Sequence, residues 1–302
     1  MNHTVCAALV LGLQAIAMVS TAPRLHDYSI VPGVFIQSDP STDPNAAGSI
    51  PARFGLIDDS PQRWAKFQDK LDNLNAQAVD GALYKVLFIG RHGQGYHNLA
   101  EELYGSDAWN SYWSKLDGDG NITWGPDPLL TELGISQAEV AHVAWKTEIP
   151  YGVPLPSLYS SPLSRAASTL EITFNDIMIS EPPHARPLIV ENFREVLGVH
   201  TCDKRKTKTY ISQTYPNFDF EEGFTEEDLL WDPDVRETDA EFAVRARAAL
   251  DVIFTADSSK YISITCHGGA IRNILSVIGH REYVLGTGGV IPVLVKAVPK
   301  TQ

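Results

Sequence analysis

Cysteine is scarce in this sequence: Cys6, Cys202 and Cys266 are all that its 302 residues hold. That excludes a disulfide-built scaffold, and spacing alone does not decide whether Cys202 and Cys266 pair. Positive charge is also short. Lys and Arg number 24 against 37 Asp and Glu, for a formal net charge of -13. A field of that sign repels polyanions, so no nucleic-acid partner is expected. Long apolar runs are missing too. The longest, Val5 to Val19, falls short of the roughly 20 residues a membrane span needs, so no span is expected. It fits the h-region of a secretory signal, with the small residues Ser20, Thr21 and Ala22 following, although no Lys or Arg precedes it. Residues 1–22 are therefore expected to be a signal peptide on a secreted protein, the alternative being an apolar N-terminal helix on a cytoplasmic one. The sequon Asn121-Ile122-Thr123 has meaning only in the first case. There is no HExxH pattern, and acidic residues do not cluster with histidines at ligand spacing, so neither metal nor other cofactor is expected. His92 and His97 are five apart, but one should leave the site as the loop becomes helix.

What is present suits one large domain with a decoration. Residues 23–80 begin with a stretch rich in Pro, Ser, Asp and Gly, which reads as an extension packed on a domain spanning 81–302. A helix is expected over Pro61 to Ala78, with Trp64, Phe67, Leu71 and Leu74 on one face. Tyr84 to Ile89 is a short apolar run with the look of a buried strand, as are Ser157 to Ser160, Leu188 to Val190 and Tyr261 to Cys266. Helices fit Ile135 to Thr147, Pro162 to Ile177 with Ser161 as N-cap, Asp239 to Phe254 and Ala270 to Ile278. Strands alternating with helices imply an α/β three-layer sandwich around a largely parallel sheet.

The unusual polar residues recur at one place, the carboxyl ends of those strands. Arg91-His92-Gly93 follows the first strand, Arg165 the second, Glu195 the third, and His267 ends the fourth. Ligands of open α/β sheets bind there, where helix N-termini also favour an anion. Each residue alone has an ordinary explanation: a turn histidine, a surface arginine, a satisfied buried imidazole. Two arginines and two histidines in strand order together make a phosphate-sized pocket.

The segment Leu87 to Asn98, carrying Arg91-His92-Gly93, resembles the signature of the histidine phosphatase (phosphoglycerate mutase-like) superfamily. Leu130-Thr131-Glu132-Leu133-Gly134-Ile135-Ser136-Gln137-Ala138, Tyr159 to Ala166 and Cys266-His267-Gly268-Gly269 resemble three further motifs of that superfamily. Gly198 to Arg205 is similar to a fungal phosphomutase-like branch. The resemblance runs from about Tyr28 to the C-terminus and implies a phosphoglycerate mutase-like fold. It implies His92 as nucleophile, Arg91, Arg165 and His267 as the rest of a phosphate pocket that includes Gly268, and Asn98 as a further phosphate ligand. Glu195 is the choice for proton donor, although Gly198 lies three residues on where many members have four; Glu191 is the competitor.

Hydrolysis of a phosphate monoester asks for up to ~10²¹ of rate, supplied mainly by charge stabilisation and positioning. His92 must be unprotonated to attack, which nearby arginines favour. The expected activity is therefore metal-independent hydrolysis of a small phosphorylated metabolite through phosphohistidine. A mutase, a phospholigand-binding protein and a phytase-like enzyme are the rivals. Gln94-Gly95-Tyr96-His97 stands where the mutase-like pattern has ESxW, and the phytase-like RHGxRxP is missing. The basic run Lys204, Arg205, Lys206 and Lys208 is either a second-anion contact or a solvated loop. The acidic stretch from Asp219 to Glu241 is either a loop pairing with it or a lid. Natural substrate and oligomeric state are not legible.

Overall fold

The computed structural model describes residues 25–301. The apolar run expected as a signal peptide, and Cys6 with it, lies outside the described residues. The described residues form a seven-stranded sheet in the order β1-β7-β2-β6-β3-β4-β5. The strands are β1 (His26–Ile30), β2 (Leu83–Arg91), β3 (Ser157–Ser160), β4 (Leu188–Ile189), β5 (Asp219–Phe220), β6 (Tyr261–Cys266) and β7 (Val290–Pro299). From β2 through β6 to β5 all neighbours are parallel, while β7 runs antiparallel to both of its neighbours, β2 and β1.

The apolar run in β2 shows why the sheet is buried on both faces. Val86 and Phe88 point into one core with Trp64, Trp145 and Leu170. Leu87 and Ile89 point into the other with Phe242, Leu250 and Ile274. The first core is closed by α1 (Arg63–Ala76), α3 (Glu132–Glu148) and α4 (Ser164–Phe174), the second by α5 (Asp239–Ala256) and α6 (Gly268–Val277). A further helix, α2 (Tyr96–Tyr104), follows β2. This is the three-layer α/β sandwich expected from the alternation of strands and helices. No helix among the described residues is long and apolar enough to cross a membrane.

Several boundaries differ from the sequence expectation. Helix α4 starts at Ser164 with Leu163 as N-cap, two residues after the expected start, and passes into a π turn at Asn175–Ile179. Ser161 is not the cap; its hydroxyl meets His267 at 2.7 Å and accepts from the amide of Leu163, the cap residue itself (3.3 Å). Strands β1, β5 and β7 have no counterpart in the expected pattern. β7 lies inside the sheet despite Pro292, because β1 pairs only with residues 295–299, so the proline sits where that side of the strand is already free. The extension supplies β1 as well as Phe35 and Phe54, both in the core.

Candidate active site

Strands β2 and β6 are parallel neighbours, and Arg91 is in register with Cys266. The chain therefore releases Arg91-His92-Gly93 and His267-Gly268-Gly269 side by side, and the His92 amide donates to the Cys266 carbonyl (3.0 Å). On the other flank of β6, β3 ends at Ser160, and the Ser161 amide donates to the Thr265 carbonyl (3.0 Å). Arg165 follows in the first turn of α4. Parallel register thus brings the three segments to one point.

Two glycines hold the His92 loop against α3. A Cβ on Gly93 would lie 2.2 Å from the Gly134 carbonyl oxygen, and one on Gly134 would lie 2.1 Å from that of Gln94. Both contacts are with backbone, so only glycine permits the approach. The Thr131 amide donates to Gln94 O (2.9 Å) and the Gln94 amide to Gln137 Oε1 (2.7 Å). The segment Leu130 to Ala138 is therefore the clamp of the loop that carries His92. In the same way Ser161 orients His267.

His92 is 2% exposed, and Arg165 and His267 have no exposure at all. The His92 and His267 rings are 5.0 Å apart. His92 Nδ1 donates to the carbonyl of Gly93 (2.6 Å), which fixes the other nitrogen as the bearer of the lone pair. That nitrogen, Nε2, faces Arg165 Nε at 3.3 Å. Burial, followed by the charges of Arg165 and Arg91, holds the His92 pKa well below the ordinary imidazole value. The neutral, nucleophilic form is the resting form at neutral pH. His267 is depressed likewise, by burial first and Arg165 second.

Arg165 is itself fixed at the outer end. One Nη donates to the Cys202 carbonyl (2.7 Å) and the other to Asp203 Oδ1 (3.0 Å), while Asp203 Oδ2 accepts from Arg236 (3.0 Å). Asp203 belongs to the Gly198 to Arg205 segment, but nothing in the sequence pattern marks it as the partner of an arginine 38 positions earlier. Three buried nitrogens here, Arg91 Nε, His97 Nδ1 and His267 Nδ1, have no hydrogen-bond partner within the protein. Buried polar nitrogens without partners are rare, and their concentration at three basic side chains suits an anionic ligand.

A cavity of about 440 Å³ opens over His92, with Arg91, His97, Asn98 and Glu195 in its wall. Here the expectation for His97 is corrected. It stays beside His92, with ring centroids 5.4 Å apart, because α2 begins at Tyr96 and its first turn keeps the side chain inward. Asn98 Oδ1 accepts from the Gly95 amide (3.0 Å). Gly268 faces a neighbouring cavity while Gly269 lines this one.

The two candidate acids are in unlike surroundings. Glu195 lies against the N-terminus of α6: Oε2 accepts from the Gly269 amide (3.0 Å) and Oε1 from the Val196 amide (2.9 Å). Arg245 fixes the backbone beneath it, donating to the carbonyls of Asn192, Arg194 and Glu195. Glu191, by contrast, is locked to Arg205 and Arg194 and does not reach the cavity. Of the basic run, Arg205 turns inward, while Lys204, Lys206 and Lys208 lie over the rings of Trp231, Tyr210 and Phe220. The acidic stretch pairs inward too, Asp228 with Arg194 and Glu237 with Arg245.

One group among the described residues brings metal-type donors within 4.8 Å of one another: His200, Cys202 and Asp203. It is poorly suited to an ion. Both Asp203 oxygens already serve arginines, and burial pushes the Cys202 thiol well above its ordinary pKa, away from the thiolate a metal requires.

The model of the histidine phosphatase superfamily (branch 1) matches residues 87–284. A protein of Arthroderma benhamiae named "Probable phosphoglycerate mutase" is 46% identical, over 98% of this chain and 91% of its own. "Phosphomutase-like protein 3" of Candida albicans is 36% identical, over 95% and 86%. Among solved structures, the ecdysone phosphate phosphatase of Bombix mori, in complex with tungstate, aligns at a TM-score of 0.44 and 15% identity, covering 69% of this chain and 90% of that one.

Proposed function

Because the chain belongs to the histidine phosphatase superfamily (branch 1), whose fold and phosphatase- or mutase-type chemistry it shares, we propose that it is a metal-independent phosphomonoester hydrolase working through phosphohistidine at His92. The observation that carries this reading is the state of His92: Nδ1 is pinned to Gly93 O, and Nε2 is neutral and faces Arg165.

In the first step the Nε2 lone pair attacks phosphorus and the bond to the ester oxygen breaks. Arg91, Arg165 and His267 hold the non-bridging oxygens, with Asn98 in reach from the wall. Glu195 passes its proton to the departing alkoxide, leaving a free alcohol. In the second step the Glu195 carboxylate takes a proton from water, the resulting hydroxide attacks phosphorus, and the P–N bond breaks to give inorganic phosphate and neutral His92. The loose transition state spreads charge over the equatorial oxygens, and the buried cations meet it in a low-dielectric site.

The name of the Arthroderma benhamiae relative points to a second reading, phosphoryl transfer within one phosphoglycerate. That substrate carries a carboxylate as well as a phosphate, and so needs a second cationic subsite. Of the two arginines at the rim, half-buried Arg236 pairs with Asp203 and exposed Arg272 with Asp239. This supports hydrolysis of an ester whose phosphate is its only anionic group over the mutase. The test is turnover in EDTA. Wild type should release phosphate from p-nitrophenyl phosphate and leave 2- and 3-phosphoglycerate unconverted; interconversion without release would move the reading to a mutase.

A further inference from the structure

The largest cavity among those described is not lined by His92, His97 or His267. It encloses about 710 Å³ between α6 and the segment from Gly279 to Leu285, and it adjoins the His92 cavity: Arg91, Asp239 and Arg272 line both. Arg91 is held at the junction by a bond from Nη1 to the carbonyl of Leu285 (2.9 Å). Its volume lies in the range that encloses drug-sized ligands.

The lining is apolar where it is deep. Ile271, Leu275, Tyr283 and Leu285 are all buried side chains of this wall, and Val284 stands exposed at the rim. Its cations are committed elsewhere. Arg272 pairs with Asp239 (2.7 Å), and Arg281 donates to the carbonyls of Gln37 (2.9 Å) and Thr42 (2.7 Å). His280 sits between the Ser38 hydroxyl and the Arg281 carbonyl. The deep part of this wall, Ile271, Leu275, Tyr283 and Leu285, carries no charge to meet a second anion. One polar group remains: the Tyr283 hydroxyl is buried with no hydrogen-bond partner in the protein. An uncharged apolar ligand with one hydroxyl or carbonyl matches that lining, satisfying the tyrosine while filling the rest.

We propose that this groove is the subsite for the alcohol part of the phosphomonoester, and that it takes an uncharged, largely apolar alcohol carrying a hydrogen-bonding group opposite Tyr283. The assignment rests on the hydrolase reading for the position of the phosphate, and concerns a wall that does no chemistry. It turns the phosphate site into a discriminating one, because apolar contacts remote from phosphorus select among esters with the same head.

Binding separates the two readings. Cyclohexylmethylphosphonate, which cannot be hydrolysed, should bind the wild-type protein at least about tenfold more tightly than methylphosphonate in calorimetry. Ser276→Trp and Val284→Trp, both on the exposed rim, should abolish that preference and leave methylphosphonate affinity within about twofold. Tyr283→Phe should keep the preference for the plain ring but lose the extra affinity of a 4-hydroxycyclohexylmethyl analogue. No preference in the wild type, or a preference untouched by both tryptophans, overturns the subsite. A preference that the tryptophans remove, in a protein that hydrolyses no phosphate ester, upholds the subsite and overturns the hydrolase reading alone.

Discussion

Gly269→Ala should disable the proposed acid while leaving the fold almost intact. A Cβ at position 269 would stand 2.1 Å from Glu195 Oε1 and 3.0 Å from both Glu195 Cδ and Val196 Cγ2. Ordinary contact begins near 3.4 Å, so the carboxylate must withdraw by about 1.3 Å. It is the free end of a flexible side chain, and it can do so by giving up the bonds from the Val196 amide to Oε1 and from the Gly269 amide to Oε2. Stability should change by less than about 1 kcal/mol, since alanine also favours the helix. Catalysis should change far more. A misplacement of about 1 Å costs on the order of 10²-fold, and general acid catalysis as a whole contributes about 10²–10⁴-fold. The assay compares kcat/KM for an alkyl phosphate, whose alkoxide needs a proton, with that for p-nitrophenyl phosphate, whose leaving group does not. The alkyl ester should lose about 10²-fold or more and the nitrophenyl ester under about tenfold. Equal losses, or alkyl turnover within about twofold of wild type, would refute the placement of Glu195 over the leaving oxygen.

Other outcomes follow from the same geometry. Glu195→Gln should show the same selective loss on alkyl esters, whereas Glu191→Gln, which only unties Arg205 and Arg194, should lower stability without changing the ratio of the two rates. Asp203→Asn frees Arg165 and Arg236 from a buried carboxylate. It should cost about 3–5 kcal/mol in urea unfolding and reduce kcat more than it raises KM; a change confined to KM would deny Asp203 its positioning role. Acid should weaken the fold early. His92, His97 and His267 are held neutral by burial first and by Arg165 next, so their folded pKa values lie below that of the unfolded chain. Stability from this source is present above pH ~6.5 and is lost as pH falls, by up to about 1.4 kcal/mol per unit for each histidine. Urea midpoints measured from pH 7 to 5 should drop steeply, and a flat profile would contradict the neutral state of these rings.

The sequence shows its strands and its chemistry because both are local. A run such as Val86-Leu87-Phe88-Ile89 can only be buried on two faces, and a polar Arg-His-Gly directly after it can only be at a strand end. Glycines 93 and 134 were visible as motif residues, but their reason is mutual contact across 41 positions. Strand β7 was not legible, since its Pro292 argues against an inner strand unless one knows that β1 stops short of it. The charged segments were misleading for a related reason. Arg205 belongs to a basic run that reads as a second-anion contact or a solvated loop, yet it is buried, answered by Glu191, 14 positions away, and by backbone carbonyls. Pairing of that kind has no period and leaves no mark in composition. His97 went unrecognised at the site because a five-residue spacing does not predict which way a helix's first turn will face.

The central claim is that phosphorus is carried by His92, and the direct test is to catch it there. Enzyme mixed rapidly with p-nitrophenyl phosphate in EDTA, quenched in base and digested, should yield phosphate on the peptide containing His92, labile to acid and stable to alkali. His92→Asn should yield none and release no phosphate. Turnover by the wild type with no phosphorylated peptide, or with phosphate on any other residue, would contradict the account.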